Sequence, residues 1–294
     1  MQDLRLAMAL MMFMSVAAFL GVRRLCANGN PRVLDGAAAV TVVIVGVYIR
    51  LVWGQLWIVK WIPLPSVVIL SNWFPVLLGI LAAILWQRMQ SHSVARRMPI
   101  QLLLIGATIW SEIYVIPRQP PECGNEWIEP TADAPFRICR QTKPNTCSAA
   151  AAATMLTALG IEASEKEMAQ LCLTGEGTTW LGLYHGLSIR LQGTRFHAEF
   201  FEGDLKVLDI VAGEFPVLMC CKLSDSVDQA NPDYKRNGGW IPGVAHSVVL
   251  FRRAGEDYLI GDPSQKDAEF WTTQDVENLW TGQGLRIVTN ANGR

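Results

Sequence analysis

The sequence predicts an α+β protein in two parts. A multi-span α-helical membrane domain covers residues 1–116, a linker covers 117–135, and a domain of helices followed by antiparallel sheet covers 136–294. Three observations predict this. Up to Pro117 the 294-residue chain is dominated by Leu, Ile, Val, Ala, Met and Trp, and only beyond it do charged and turn residues return at ordinary frequency. Around the change lies Arg-Gln-Pro-Pro-Glu-Cys-Gly, with Pro130 beyond, which reads as a linker. After it, helical signals come first and β-like runs later.

The first domain holds four apolar stretches, at 5–22, 36–56, 62–86 and 100–116, against the roughly 20 residues a bilayer core requires. Arg23 and Arg24 follow the first, as in a signal peptide; its long core, poor cleavage pattern and the spans behind it favour an uncleaved helix. Arg50 in the second can snorkel, and Pro63, Pro65 and Pro75 in the third are tolerable near its start and as a kink. The fourth is short and carries Glu112, so an interfacial helix is its alternative. The loops after the first and third stretches carry Arg23, Arg24, Arg32, Arg88, Arg96 and Arg97, against Arg5, Lys60 and Arg118 on the other side. Six against three places the Arg-rich loops in the cytoplasm. With four spans, everything after Pro117 then lies outside; with three it lies inside. Trp53, Trp57, Trp61, Trp86 and Trp110 sit near span ends, as an aromatic belt does.

Beyond the linker, a helix runs over 147–159 and stops at Gly160. Ser164 with Glu167 forms a capping box for a second, to about Cys172, and Thr178 or Thr179 caps a third through Gln192. A β-like run (194–201), a short helix (204–213), a strand (215–223), a hairpin across 245–262, a helix near 273–280 and a strand at 285–289 complete the pattern.

Cys147 opens Cys-Ser-Ala-Ala-Ala-Ala-Ala-Thr, a helix start, where partial positive charge and free N–H groups favour a thiolate. Alone it reads more readily as a buried structural cysteine. Gln141, six residues upstream, His246 and Asp262 change that: a Gln, a Cys at a helix start, a late His and a carboxylate are the parts of a thiol hydrolase. Gln141 would donate its amide to an oxyanion beside the Cys147 N–H. With a three-residue turn Arg253-Ala254-Gly255, the register sets His246 opposite Asp262 on one face. His92, His185 and His197 look bland.

The net charge of -1 and the lack of basic clusters interleaved with aromatics exclude nucleic acid as an expected partner. The seven cysteines show no Cys-x-x-Cys spacing and lie far from paired histidines, so no metal site and no cofactor is expected. Six cysteines fall outside the cytoplasm by this topology, and Cys123 and Cys139 can bridge.

Gln141-Thr-Lys-Pro-Asn-Thr-Cys147, Gly177-Thr178, His246-Ser-Val-Val-Leu, Gly261-Asp262-Pro263, Phe270-Trp271 and Trp280-Thr281-Gly282 together resemble the papain-like cysteine peptidases that process bacteriocin leaders (double-glycine peptidases). The resemblance covers roughly 136–290. It implies a papain-like fold with Cys147 as nucleophile, His246 as general base, Asp262 as its orienter and Gln141 in the oxyanion hole. It also implies a peptide or protein substrate. Leader-processing members usually precede an ABC transporter on the cytoplasmic side, and neither an ATP-binding motif nor a transporter follows here, so the family's substrate is not carried over. The expectation is a multi-pass protein of the bacterial inner membrane, its peptidase domain extracytoplasmic, with the lipid bilayer and an unidentified transporter or membrane complex as surroundings. A thiol amidase, cell-wall hydrolase or acyl transferase on the same machinery, and a silent membrane-anchored binding module, are the competing readings.

Overall fold

A computed structural model describes residues 2–115, 120–213, 216–236 and 238–290. Contacts divide the chain into Met1–Pro117 and Arg118–Arg294. Positions 116–119, where the fourth apolar stretch was expected to end and the linker to begin, and Phe215, the expected start of a strand, lie outside the described residues.

The first unit is built around one buried helix. Helices α1 (Gln2–Leu25), α2 (Pro31–Leu51) and α5 (Val94–Ile113) pack on α4 (Phe74–Arg88), and α3 (Val67–Leu70) and a 3-10 turn (Leu56–Lys60) join α2 to α4. The α2 start is set by Asn30, whose side chain accepts the Arg32 N–H at 2.9 Å ahead of Pro31. Where α1 crosses α4, Ser15 Oγ donates to Pro75 O at 2.7 Å, and Gly79 leaves the backbone room it needs: a Cβ there would lie 2.6 Å from Ser15 O. The outward faces of α1, α2 and α5 carry apolar residues such as Phe13, Val43 and Leu103, about two-thirds or more exposed. An apolar exterior over a tightly packed interior suits lipid, not water.

Three helical runs are long and apolar enough to cross a bilayer: Gln2–Leu25, Pro31–Leu51 and Val67–Arg88. They fit a membrane anchor. Helix α5 is not among them, because its 20 residues include Arg96, Arg97 and Glu112. The third run is also not the kinked continuous helix expected from Pro75. It breaks at 71–73, and Pro75 sits in the first turn of α4, where no N–H is missed. The Tyr48 side chain takes up freed backbone groups, its Oη donating to Ser71 O at 2.5 Å and accepting Trp73 N–H at 3.0 Å, while Asn72 at the break donates to Ser111 O of α5 at 3.1 Å.

In the second unit, β1 (Glu126–Ile128) pairs antiparallel with β2 (Ile138–Arg140), so part of the stretch read as linker is strand. Helices α6 (Cys147–Ala158), α7 (Glu165–Leu171) and α8 (Trp180–Arg190) follow, then β3 (Phe196–Glu202), α9 (Leu205–Val211), β4 (Val217–Lys222), α10 (Asp225–Ala230) and α11 (Asp233–Arg236). Strands β5 (Ala245–Ala254), β6 (Asp257–Gly261) and β7 (Glu269–Trp271), helix α12 (Thr273–Leu279) and β8 (Trp280–Thr289) complete it. The six-stranded sheet runs β3-β8-β4-β5-β6-β7, antiparallel throughout. One face packs on α9 and α12 through Leu208, Val217, Met219, Val248, Leu250 and Val276; α6 packs against β5 and β4. The mixed helix-and-sheet class read from the sequence is the class observed.

Helix α6 earns its place through size. Its five alanines are fully buried, and their small side chains let the helix axis approach the sheet closely. Gly160, at φ +77°, ends it. The β5–β6 hairpin departs from the expected register. Ala254 pairs with Asp257, so the turn is two residues, Gly255 at φ +69° and Glu256, and a bulge between Leu250 and Arg252 shifts the ladder to Val249 opposite Gly261. His246 therefore does not face Asp262 directly. Asp262 lies just past the end of β6, one diagonal step away on the same face, because the bulge and the shorter turn together preserve parity.

Candidate active site

Three segments converge at one end of the sheet. The loop into α6 brings Gln141 and Cys147, the start of β5 brings His246, and the turn after β6 brings Asp262. A cleft of about 160 Å³ is lined by Gln141, Cys147, Trp240, Ile241, Val244, His246 and Ser264 among others. All four residues singled out in the sequence meet here.

Asp262 is fully buried. Its Oδ1 receives His246 Nε2 at 2.7 Å, Ser264 N–H at 2.8 Å and Ser264 Oγ at 2.7 Å, while Oδ2 has no partner among the described residues. Since Nε2 is engaged there, the other ring nitrogen, Nδ1, is left for the thiol, and the His246 and Cys147 side chains interact directly. The charges follow from this contact. Burial opposes ionisation of Cys147, yet the His246 hydrogen bond and charge, the Ser247 N–H and Ser148 outweigh it and hold the thiol below its ordinary value. Burial likewise opposes the imidazolium, but the Asp262 charge and hydrogen bond and the Cys147 contact raise His246 to about 10. Asp262, despite its burial, is held below the usual carboxylate range by His246 and Ser264. All three shifts run toward the charged forms: thiolate, imidazolium and carboxylate.

The other thiols of this unit go the opposite way. Burial raises Cys123, Cys139 (to about 12), Cys172, Cys220 and Cys221. All seven cysteines are free, so Cys123 and Cys139 are not bridged.

Several supporting residues were not found by reading the sequence. Glu165, fully buried at the start of α7, accepts Thr142 N–H and Thr142 Oγ1 at 2.8 Å each and Thr146 Oγ1 at 2.5 Å. It clamps both ends of the loop that runs from Gln141 to Cys147. Gln141 N–H donates to Pro263 O at 2.9 Å, tying that loop to the Asp262 turn. Ser148 and Ser247, the neighbours of Cys147 and His246, share a buried 2.8 Å hydrogen bond between α6 and β5. Trp240 meets the His246 ring edge-on, centroids 5.0 Å apart, and packs against Trp271 at 5.8 Å. The capping pattern at Ser164 accounted for the local sequence and hid Glu165, whose partners lie in another segment. Ser164 does accept the Glu167 N–H, but the Glu167 carboxylate pairs with Arg190. Among the described residues no group of three or more His, Cys, Asp or Glu is placed to hold a metal.

No protein-family model and no curated protein matches the sequence. Solved structures do. The peptidase domain of Streptococcus ComA, described as a bifunctional ABC transporter involved in quorum sensing, is similar at 18% identity and a TM-score of 0.41, over 51% of this chain and 96% of that one. A double glycine motif protease from an AMS/PCAT transporter, solved with its leader peptide, gives 16% and 0.40, over 60% and 97%. A periplasmic domain of the EpsAB fusion protein of the Vibrio vulnificus type II secretion system gives 14% and 0.31, over 49% and 47%. The chain thus resembles double-glycine peptidase domains at low identity, and the roles of its residues rest on the site's own geometry.

Proposed function

We propose that this chain is a membrane-anchored cysteine peptidase. The observation that carries the proposal is the Asp262–His246–Cys147 line: a buried carboxylate on one ring nitrogen, the thiol on the side of the other, and this thiol alone among those of its unit lowered and not raised. Cys147 Sγ attacks the peptide carbonyl carbon. Negative charge develops on the carbonyl oxygen, where the Cys147 N–H and the Gln141 amide stabilise it. His246 delivers its Nδ1 proton to the leaving amine, giving a thioester on Cys147. His246 then takes a proton from water as the water attacks the thioester, the acid is released, and the thiolate–imidazolium pair is restored. Asp262 holds the imidazole in the required orientation and stabilises its charge. Ile241 and Val244, about half exposed or more at the cleft rim, offer an apolar surface to the substrate beside Trp240.

The same proposal includes sidedness. Helix α5 is 20 residues long, about 30 Å at 1.5 Å per residue, and packs along α4. If it crosses, the second unit lies opposite the Arg-rich loops, outside the cytoplasm. An active-site thiol probe applied to intact cells and then to lysate tests both points. Labelling of Cys147 in intact cells, lost in Cys147→Ala, is the expected result; labelling of Cys147→Ala at the wild-type rate overturns the assignment, and labelling in lysate only moves the domain inside.

A further inference from the structure

The crevice between α1 and α5 has no role in the proposed peptidase chemistry. These two helices flank α4 without closing over it, and leave an apolar opening of about 520 Å³ lined by Met12, Phe19, Leu78, Ala82, Met98 and Ile105. Trp86 lies at one end of it. Both Arg23 and Arg97 lie over the Trp86 ring, each guanidinium carbon 5.6 Å from its centroid. Two like charges held about one ring repel each other unless an anion joins them. The sequence supplies none. Asp35 is the single acidic residue in 20–35 and 84–100, and its carboxylate is taken by Arg88 at 2.7 Å. Arg97 Nε is buried and has no hydrogen-bond partner among the described residues.

We infer that this crevice is a binding site for one anionic phospholipid, its acyl chain lying over α4 and its phosphate between Arg23 and Arg97 at the Trp86 end. The two halves of the site match the two halves of such a molecule. The apolar lining takes hydrocarbon, and planar guanidiniums with free N–H groups bind phosphate oxygens. The surrounding Arg24, Arg32 and Arg96 add the diffuse attraction of a basic membrane face. The inference rests on the first unit lying in the bilayer, and is independent of the peptidase reading.

The test uses the full chain, purified in detergent and delipidated, then titrated with phosphatidylglycerol or phosphatidylcholine of identical acyl chains. Native mass spectrometry counts bound lipid and thermal unfolding reports its effect. One phosphatidylglycerol should bind and stabilise, and phosphatidylcholine should not compete. Arg23→Gln with Arg97→Gln should weaken binding roughly 25-fold, about fivefold for each guanidinium. Arg24→Gln with Arg32→Gln removes the same charge away from Trp86 and should leave binding nearly unchanged. Ile105→Trp, which fills the crevice from its exposed side, should abolish binding, and decides the matter if the first double variant does not fold. Equal losses in the two double variants, equal affinity for both lipids, full competition by glycerol 3-phosphate, or unaltered binding in Ile105→Trp would each overturn the site. Extraction by alkaline carbonate is a separate readout: a chain washed from membranes overturns the anchor itself.

Discussion

In the proposed mechanism the Cys147, His246 and Asp262 side chains carry unequal burdens, and their substitutions should differ accordingly. Cys147→Ala removes the nucleophile and should abolish peptide hydrolysis. His246→Gln removes the group that moves protons, at a typical cost of about 100- to 10,000-fold. Asp262→Asn should keep partial activity, because its amide oxygen still accepts the His246 Nε2–H, although the buried charge that favours imidazolium is gone. Near-equal, minor losses at His246 and Asp262 would contradict the assignment. The pH dependence has a definite sign. Cys147 is lowered, so the thiolate survives below the ordinary thiol range; His246 is raised to about 10, so the imidazolium survives up to there. The ion pair is populated between those limits. Iodoacetamide should therefore react with Cys147 rapidly at neutral pH, and His246→Gln should shift that reactivity to higher pH. An unchanged alkylation profile in His246→Gln would show that the thiol owes nothing to the imidazole. The same shift makes a stability statement: the favourable His246 contribution is present below the unfolded histidine value and is lost as pH rises through about 10. That Gln141, Cys147, His246 and Asp262 come together was legible because their residue types and order restrict the chemistry. Trp240, Ser264 and Glu165 were not, because nothing local distinguishes a supporting Trp, Ser or Glu from an ordinary one.

Elements announced by local signals stand where the sequence placed them. Helix α6 begins at Cys147 and ends before Gly160, Thr179 caps α8 by accepting the Gly182 N–H at 3.0 Å, and α12 carries a full capping box between Thr272 and Asp275. What failed were features decided between segments. The hairpin turn is a residue shorter than expected and the bulge beside Phe251 compensates; Phe251 stacks on Phe136 with centroids 4.4 Å apart, a contact far away in sequence. Strand β1 escaped notice inside a Pro-rich stretch because three residues leave no periodicity to read. The loop joining Gln141 to Cys147 supports a prediction at this scale. Glu165→Gln presents an amide N–H₂ to donors that require an acceptor, so the loop loses its clamp. The expected result is a fall in kcat with KM little altered, with Glu165→Asp less affected than Glu165→Gln. Equal loss in both variants, tracking a lower melting temperature, would make Glu165 merely structural. Likewise Ala151→Leu, on the buried face of α6, should destabilise the domain by about 1–3 kcal/mol, as measured by denaturant unfolding.

For the molecule as a whole, the division at 117/118 separates two folds with opposite surfaces. One unit hides polar groups such as Asn72 and Ser111 inside and turns Leu and Val outward; the other does the reverse. Composition made that contrast legible, but not the number of crossings, because α5 mixes arginines with a lipid-like outer face. On the proposed topology, in which α5 is a fourth crossing, alkaline phosphatase fused after Arg294 should be active; an inactive fusion alongside a fluorescent green-fluorescent-protein fusion would leave α5 lying in the interface. The Ser148–Ser247 bond spans 99 positions of chain. During synthesis Cys147 thus emerges long before the strand that carries His246. On the proposed reading, until that strand docks beside α6 the thiol lacks its imidazole and the nascent chain cannot cut itself or its neighbours. Catalytic competence then waits on a contact between segments far apart in sequence, a form of latency built into the order of synthesis.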